Sequence, residues 1–138
     1  MKTKITLILT GLFLLVLSCK NDDDSNNNVN EPTLIGTWQL IEIYGDPGDG
    51  SGGFEPVDSD KSISFFENGT LTSNGSLCNM SNQAGDSTNG TYNTEESVIV
   101  PSDCSFENYQ IFFEIENSNL ILSYPCIEAC NEKYIKLN

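Results

Sequence analysis

Five cysteines, twenty carboxylates and a lack of histidine set the chemistry open to this 138-residue chain. Cys78, Cys104, Cys126 and Cys130 form an even set in its second half, while Cys19 stands far upstream. Cysteine thiolates either hold a metal or pair. Zinc is the weaker reading, because no histidine and no Cys-x-x-Cys spacing is there to complete a tetrahedral set. Pairing leaves more than one connectivity open, and the spacing of the last two cysteines narrows it. Along a straight strand the Cα atoms of Cys126 and Cys130 would stand about 13 Å apart, beyond a disulfide's reach of about 7 Å. Facing each other across Ile127-Glu128-Ala129 as a hairpin loop they can bond, and Pro125 before them favours a turn. The expected pairs are Cys126–Cys130 and Cys78–Cys104. The second closes a loop long enough to stabilise the fold by about 3–4 kcal/mol.

Catalysis has little to work with. Histidine, the usual general base, is missing, and no Gly-x-Ser-x-Gly nucleophile elbow occurs. Glu95-Glu96 and the pair Glu114 and Glu116 alternate with polar positions and read as solvated faces, so no catalytic residue and no enzyme activity is expected. Gly48-Asp49-Gly50-Ser51-Gly52-Gly53 matches the spacing Gly-x-Gly-x-x-Gly. That fingerprint works only between a strand and a helix N-terminus that meets a pyrophosphate. Here Phe54-Glu55-Pro56-Val57 follows, and Asp46 and Asp49 would repel phosphate, so the stretch reads as a flexible loop. Asp46, Asp49, Asp58 and Asp60 lack the spacing of an EF-hand, so no dedicated calcium site is expected either. Neither a metal nor a cofactor is implied. The Asn-x-Ser/Thr triplets at Asn68, Asn74, Asn79 and Asn89 read as turn and loop residues.

The elements that position these residues begin with a leader. Lys2 and Lys4 precede a nearly unbroken apolar run, Ile5 to Leu17, of signal-peptide length and too short to span a bilayer comfortably. Val16-Leu17-Ser18-Cys19 then resembles a bacterial lipobox. The resemblance implies cleavage between Ser18 and Cys19, two or three acyl chains on Cys19, and membrane attachment through that anchor, since one chain alone binds only marginally. Residues 1–18 are then the signal peptide and 19–31 an acidic, disordered tether. Its Lys20-Asn21-Asp22-Asp23-Asp24 resembles the export signal of Bacteroidetes surface lipoproteins, which implies an outer-membrane protein at the cell surface, with the periplasmic face as the alternative. Asp86-Ser87-Thr88 is similar to an O-glycosylation triplet of exported proteins from the same group. After cleavage four lysines face twenty acidic residues, with no arginine, a formal charge of 4 − 20 = −16. Nucleic-acid binding runs on Lys and Arg contacts and is excluded as a function class.

Residues 32–138 form one domain with a β texture throughout. Leu34 to Tyr44 is rich in β-formers, Gly45 to Gly53 cannot be regular, and Ser62-Ile63-Ser64-Phe65-Phe66 alternates. Asn68-Gly69 is a two-residue hairpin signal before Thr70-Leu71-Thr72, and Asn74-Gly75 and Asn89-Gly90 repeat it. The polar run Asn79 to Asn89 reads as a loop. Tyr92 and Ser97-Val98-Ile99-Val100 mark middle strands. Tyr109, Ile111, Phe113 and Ile115 share one parity opposite Gln110, Glu114 and Glu116, a half-buried strand, although Phe106 to Phe113 could carry a short helical turn. Leu120 to Tyr124 and Tyr134 to Leu137 close the chain. Short strands joined by tight turns predict an all-β fold, a small antiparallel up-and-down barrel of about eight strands that hides its own edges.

Gly36-Thr37-Trp38 on the first strand looks like the Gly-x-Trp signature of lipocalins. Together with Phe65-Phe66-Glu67-Asn68-Gly69 and Cys126-Ile127-Glu128-Ala129-Cys130-Asn131-Glu132-Lys133-Tyr134, the chain resembles lipocalin-like domain lipoproteins of the Bacteroidetes. The arginine that lipocalins often stack on the tryptophan is absent. The resemblance implies a monomeric barrel that binds a small hydrophobic or amphipathic ligand, and Trp38, Tyr44, Phe65, Phe113, Leu122 and Tyr124 are the residues that could line its cavity or simply fill it. The alternative is a non-catalytic structural or interaction module of the membrane surface with a packed interior. Interior volume separates the two, since a ligand site needs an apolar cavity of about 300 Å³ or more.

Overall fold

A computed structural model describes residues 33–137. The signal peptide 1–18, the tether 19–31 and the expected cleavage and acylation at Ser18 and Cys19 lie outside the described residues. Nine strands follow in order: β1 (Gly36–Gly45), β2 (Gly53–Pro56), β3 (Ser62–Phe65), β4 (Thr70–Gly75), β5 (Ala84–Asn93), β6 (Val98–Pro101), β7 (Ile111–Glu116), β8 (Asn119–Ser123) and β9 (Cys130–Lys136). All pair antiparallel, and β9 returns to β1 from Trp38↔Lys136 to Gly45↔Cys130, closing the sheet. β2 and β3 run along one edge of β1, against Glu42–Gly45 and Gly36–Gln39 respectively. Bonds from Val57 N to Ile41 O and from Leu40 N to Lys61 O bridge the gap between them. They act as one interrupted stave, so nine strands close an eight-stave barrel. Closure leaves no long unpaired edge, which is how a small sheet avoids pairing with its neighbours.

The barrel has two unlike ends. At the Trp38 end lie the β3–β4, β5–β6 and β7–β8 hairpins together with Leu34 and Leu137; at the other lie the longer connections and both disulfides, Cys78–Cys104 and Cys126–Cys130, with Cα separations of 5.2 and 6.0 Å. Trp38 is fully buried, donates from Nε1 to Leu34 O at 2.8 Å, and has the Lys136 ammonium 5.5 Å from its ring centroid. A lysine from the last strand thus supplies the cation over this ring. The inward faces of the staves meet in one core of Trp38, Leu40, Ile63, Phe65, Leu71, Ile99, Ile111, Phe113, Leu120, Leu122 and Tyr134.

Several local expectations need correction. The run Asn79 to Asn89 is loop only as far as Gln83, and Ala84–Asn93 is a strand. Its ladder to β4, such as Thr72↔Asn89 and Ser73↔Thr88, comes from backbone groups, and an outer face in water needs no apolar side chains. Of the Asn-Gly pairs only Asn68-Gly69 sits in a turn, and its loop has three residues, Glu67–Gly69, between Phe66 and Thr70, with Gly69 at φ 79°. Asn74-Gly75 and Asn89-Gly90 lie inside strands. A Cβ on Gly75 would stand 2.6 Å from Gln83 O, and one on Gly90 would stand 2.7 Å from Val100 O, so both glycines permit close backbone approach. The two-residue hairpin is instead Asn117-Ser118, both at positive φ between the paired Glu116 and Asn119, as a type I′ turn requires. Phe106 to Phe113 carries a bend at Phe106, a single turn at Glu107 and Asn108 and then β7, with no helix.

The Cys78–Cys104 bond ties the segment after β4 to the segment after β6 across 26 residues. Loop-closure entropy gives it about 3–4 kcal/mol, and about 2 kcal/mol to the short Cys126–Cys130 ring. Replacing Cys78 and Cys104 together by serine should therefore lower the urea midpoint more than the same change at Cys126 and Cys130. Equal midpoints for the two double variants would show that closure entropy does not set the order.

Candidate functional site

Two side chains of opposite charge meet inside the disulfide end. Lys61 stands two residues before Ile63 and four before Phe65, and Glu132 two before Tyr134, so strand alternation turns both toward the interior with those buried neighbours. The Lys61 ammonium lies 2.8 and 3.1 Å from the Glu132 carboxylate oxygens, and both side chains have no exposed surface. Desolvating an ion pair costs more than its attraction returns unless the remaining hydrogen-bonding capacity is met. Here it is met. Lys61 also donates to Ser81 O at 2.9 Å. Glu132 Oε1 accepts from Ser81 N–H at 2.9 Å, and Oε2 accepts from the Tyr124 and Tyr134 hydroxyls at 2.6 and 2.5 Å. Burial pushes the Lys61 pKa below the ordinary lysine value, against the opposing pull of Glu132. The same burial, with the Glu132 carboxylate close by, drives both tyrosines well above 10.0.

The segment between β4 and β5 covers this cluster. Leu77 is fully buried and its N–H donates to Thr88 Oγ1 at 3.1 Å; Ser59 Oγ donates to Asn82 O at 2.7 Å; Met80 packs on the core. Gly75 leaves room for the Lys61 stem, whose Cγ would be 2.9 Å from an added Cβ. Lysine and glutamate with two tyrosines could in principle pass protons. With no accessible surface on either charged group, no substrate atom reaches them, and the arrangement works as a polar plug. Neither Lys61 nor Glu132 was singled out by the sequence reading, although alternation alone could have found both.

Of the residues expected to line a cavity, Trp38, Phe65, Phe113, Leu122 and Tyr124 come together in the core at 0–9% exposure. Tyr44 does not join them. The β1–β9 register slips between Leu40 and Glu42, so a bulge reverses the parity of the rest of β1. Ile43 then faces the core, and Tyr44 lies outside, edge-on to Phe54 at 5.4 Å. Lys133 stands 3.9 Å over the Phe54 ring and pairs with Glu42 on the same outer face.

The glycine-rich stretch is occupied with itself. Asp46 Oδ1 accepts from Gly48 N–H at 2.8 Å and Gly50 N–H at 3.1 Å, and Asp49 Oδ1 accepts from Ser51 N–H at 2.9 Å. The Gly48 bond is the main cause that holds Asp46 below the usual carboxylate pKa, and the Ser51 hydroxyl acts likewise on Asp49. These carboxylates fold their own loop. Asn68 and Asn74 do the same for turns and edges, Asn68 accepting from Thr70 and Asn74 from Ser62 N–H. In the Asp86-Ser87-Thr88 triplet Ser87 is exposed and Thr88 buried.

Outside the barrel, still at the disulfide end, the turn after β6 and the start of β7 form an open cleft of about 450 Å³. It is lined by Phe106, Glu107, Tyr109, Gln110, Phe112 and Pro125, among others. Phe106 and Tyr109 stack with centroids 6.2 Å apart, and Phe106 and Phe112 are 69% and 57% exposed.

Searches of curated proteins and of solved structures return no match for the chain. A family profile described as a lipocalin-like domain matches residues 34–122. That stretch is more than half of the chain and runs from just before β1 to within β8. The closing strand and Glu132 lie beyond it. With the eight-stave antiparallel barrel and its buried Gly-x-Trp tryptophan, this match establishes that the chain belongs to the lipocalin-like domain family.

Proposed function

We propose that this chain is a cell-envelope lipoprotein of the Bacteroidetes type, cut between Ser18 and Cys19 and held in the outer membrane by acyl chains on Cys19. It carries its lipocalin-like domain at the cell surface as a monomeric, non-catalytic recognition module with a packed interior. The lipobox-like Val16-Leu17-Ser18-Cys19, the apolar leader before it and the acidic tether behind it support the anchor. The reading of the domain is carried by one observation: Trp38, Phe65 and Leu122, which could either line a cavity or fill it, retain at most 1% of their surface. A side chain with no accessible surface borders no space that admits even a water, so these walls leave no room for a ligand. Recognition then falls to the outside of the barrel.

Two measurements on the protein made in its native type of host test this. Alkynyl palmitate should label the wild-type chain and fail to label Cys19→Ser; equal labelling of both would remove the anchor. Organic extraction of the purified, denatured protein should release no stoichiometric non-covalent lipid. A one-to-one lipid in that extract would place a ligand inside the barrel and overturn the packed-interior reading.

A further inference from the structure

We propose that the cleft at Phe106, Tyr109 and Phe112 is a binding site for small amphipathic amines, molecules with an ammonium group on a compact apolar body. The proposal rests on outside recognition as argued above and adds the class of ligand. Its first support is the wall chemistry. Three aromatic rings with negative faces and the carboxylate of Glu107 line one recess, and a cation over such rings is attracted by the ring quadrupole. Pro125 adds apolar surface for the body of the ligand, and Gln110 adds an amide.

The second support is the charge balance. The described lysines are all engaged elsewhere: Lys61 within the barrel, Lys133 with Glu42 and Phe54, and Lys136 with Thr33 and Trp38. None of them lines the cleft, in a chain of net charge −14. A negative field steers cations toward such a recess and anions away. Size favours a small molecule over a polypeptide. About 450 Å³ lies within the range of small-ligand sites, whereas a stable protein partner needs roughly 20–30 residues a side.

The recess is also shaped without a ligand. Asn108 adopts φ 58°, a left-handed conformation that asparagine tolerates, and this bend brings Phe106 back onto Tyr109. Position points the same way. β7 starts beside the cleft and runs toward the Trp38 end, where Thr33 meets Lys136. A strand of six residues spans about 20 Å, so the cleft lies about that far from Thr33, clear of the point where the tether joins the barrel.

The test titrates the full chain, in neutral detergent, with 2-phenylethylammonium, the uncharged 2-phenylethanol and the anionic phenylacetate, following backbone amide shifts. The expected result is saturable binding of the ammonium, with shifts centred on residues 106–112. The alcohol should bind roughly five- to tenfold more weakly, the size of an exposed cation–π contact with a carboxylate nearby. Phenylacetate should not bind. Phe106→Ala and Glu107→Gln, both at exposed positions, should each weaken the ammonium several-fold, and Tyr44→Ala on the other aromatic pair should not. Equal affinity for ammonium and alcohol, shifts centred elsewhere, or indifference to Phe106→Ala would each overturn the proposal. A lipid found inside the barrel would instead overturn the reading it rests on, and that extraction is read separately.

Discussion

Glu132→Ala should cost the domain about 4–5 kcal/mol, enough to leave much of it unfolded, since a domain holds only about 5–15 kcal/mol in total. The substitution removes one side chain and strands four partners. Lys61 keeps a buried charge with only Ser81 O left to accept from it, the Tyr124 and Tyr134 hydroxyls lose their acceptor, and Ser81 N–H loses its own. Leaving a buried ion unpaired costs about 3–5 kcal/mol, far more than the net worth of the intact pair. The orphaned hydroxyls add to that. Urea denaturation followed by the fluorescence of Trp38, the single tryptophan, reads the loss directly. Glu132→Gln should cost less, because its carbonyl oxygen still accepts from a tyrosine.

Combining Lys61→Met with Glu132→Gln should then recover stability relative to Glu132→Gln alone, as the charge without a partner is gone. Such a recovery is the mark of coupled residues in a double-mutant cycle, with an interaction energy of about 1–3 kcal/mol. Additive losses, or a cost below about 1 kcal/mol for Glu132→Ala, would mean that the cluster is hydrated or rearranges freely, contrary to the buried network described.

This cluster also marks where sequence legibility stopped. The barrel itself was readable, because Tyr109, Ile111, Phe113 and Ile115 share one parity opposite Gln110, Glu114 and Glu116 and the Gly36-Thr37-Trp38 strand carries a family signature. Parity would have turned Lys61 and Glu132 inward as well, since Ile63 and Tyr134 flank them at the right spacing. What parity cannot supply is that β3 and β9 bring them together, 71 residues apart in the chain, on opposite edges of β1. Tyr44 was misplaced for a related reason. One extra residue in β1 between Leu40 and Glu42 reverses the faces of everything after it, and nothing in the run of β-formers announces the bulge. Hairpins failed locally, as Asn74-Gly75 and Asn89-Gly90 use their glycines for close packing while Asn117-Ser118 makes the tight turn without one. The cleft escaped notice because Phe106 was weighed only as the start of a possible helical turn and Phe112 not at all; their exposure follows from the Asn108 bend and from outward parity in β7.

Alkaline pH should begin to destabilise the domain at about pH 10 and unfold it cooperatively roughly two units higher, and the two buried tyrosines dominate the slope. Burial, first among the causes, holds Tyr124 and Tyr134 protonated well past the ordinary tyrosine value of 10.0, while the unfolded chain ionises them near it. Below that value both states are neutral at these positions and the full stability is present. Above it the unfolded chain has released two protons that the folded chain keeps at Tyr124 and Tyr134, which lowers stability by about 2.7 kcal/mol per pH unit; half-buried Tyr109, raised less strongly by burial, adds a smaller loss of the same sign. Lys61 has the opposite sign: its pKa is lowered, so its contribution grows with pH and is complete by about 10.5, after which nothing offsets the tyrosines. A titration of absorbance at 295 nm should show Tyr124 and Tyr134, among the five tyrosines, silent until a sharp step that coincides with the change in Trp38 fluorescence. Tyr134→Phe should reduce the slope to about half, one proton in place of two. Smooth ionisation of all five tyrosines by pH 11 with the circular dichroism of the barrel intact would mean that water reaches these hydroxyls, and the plug would then be no plug.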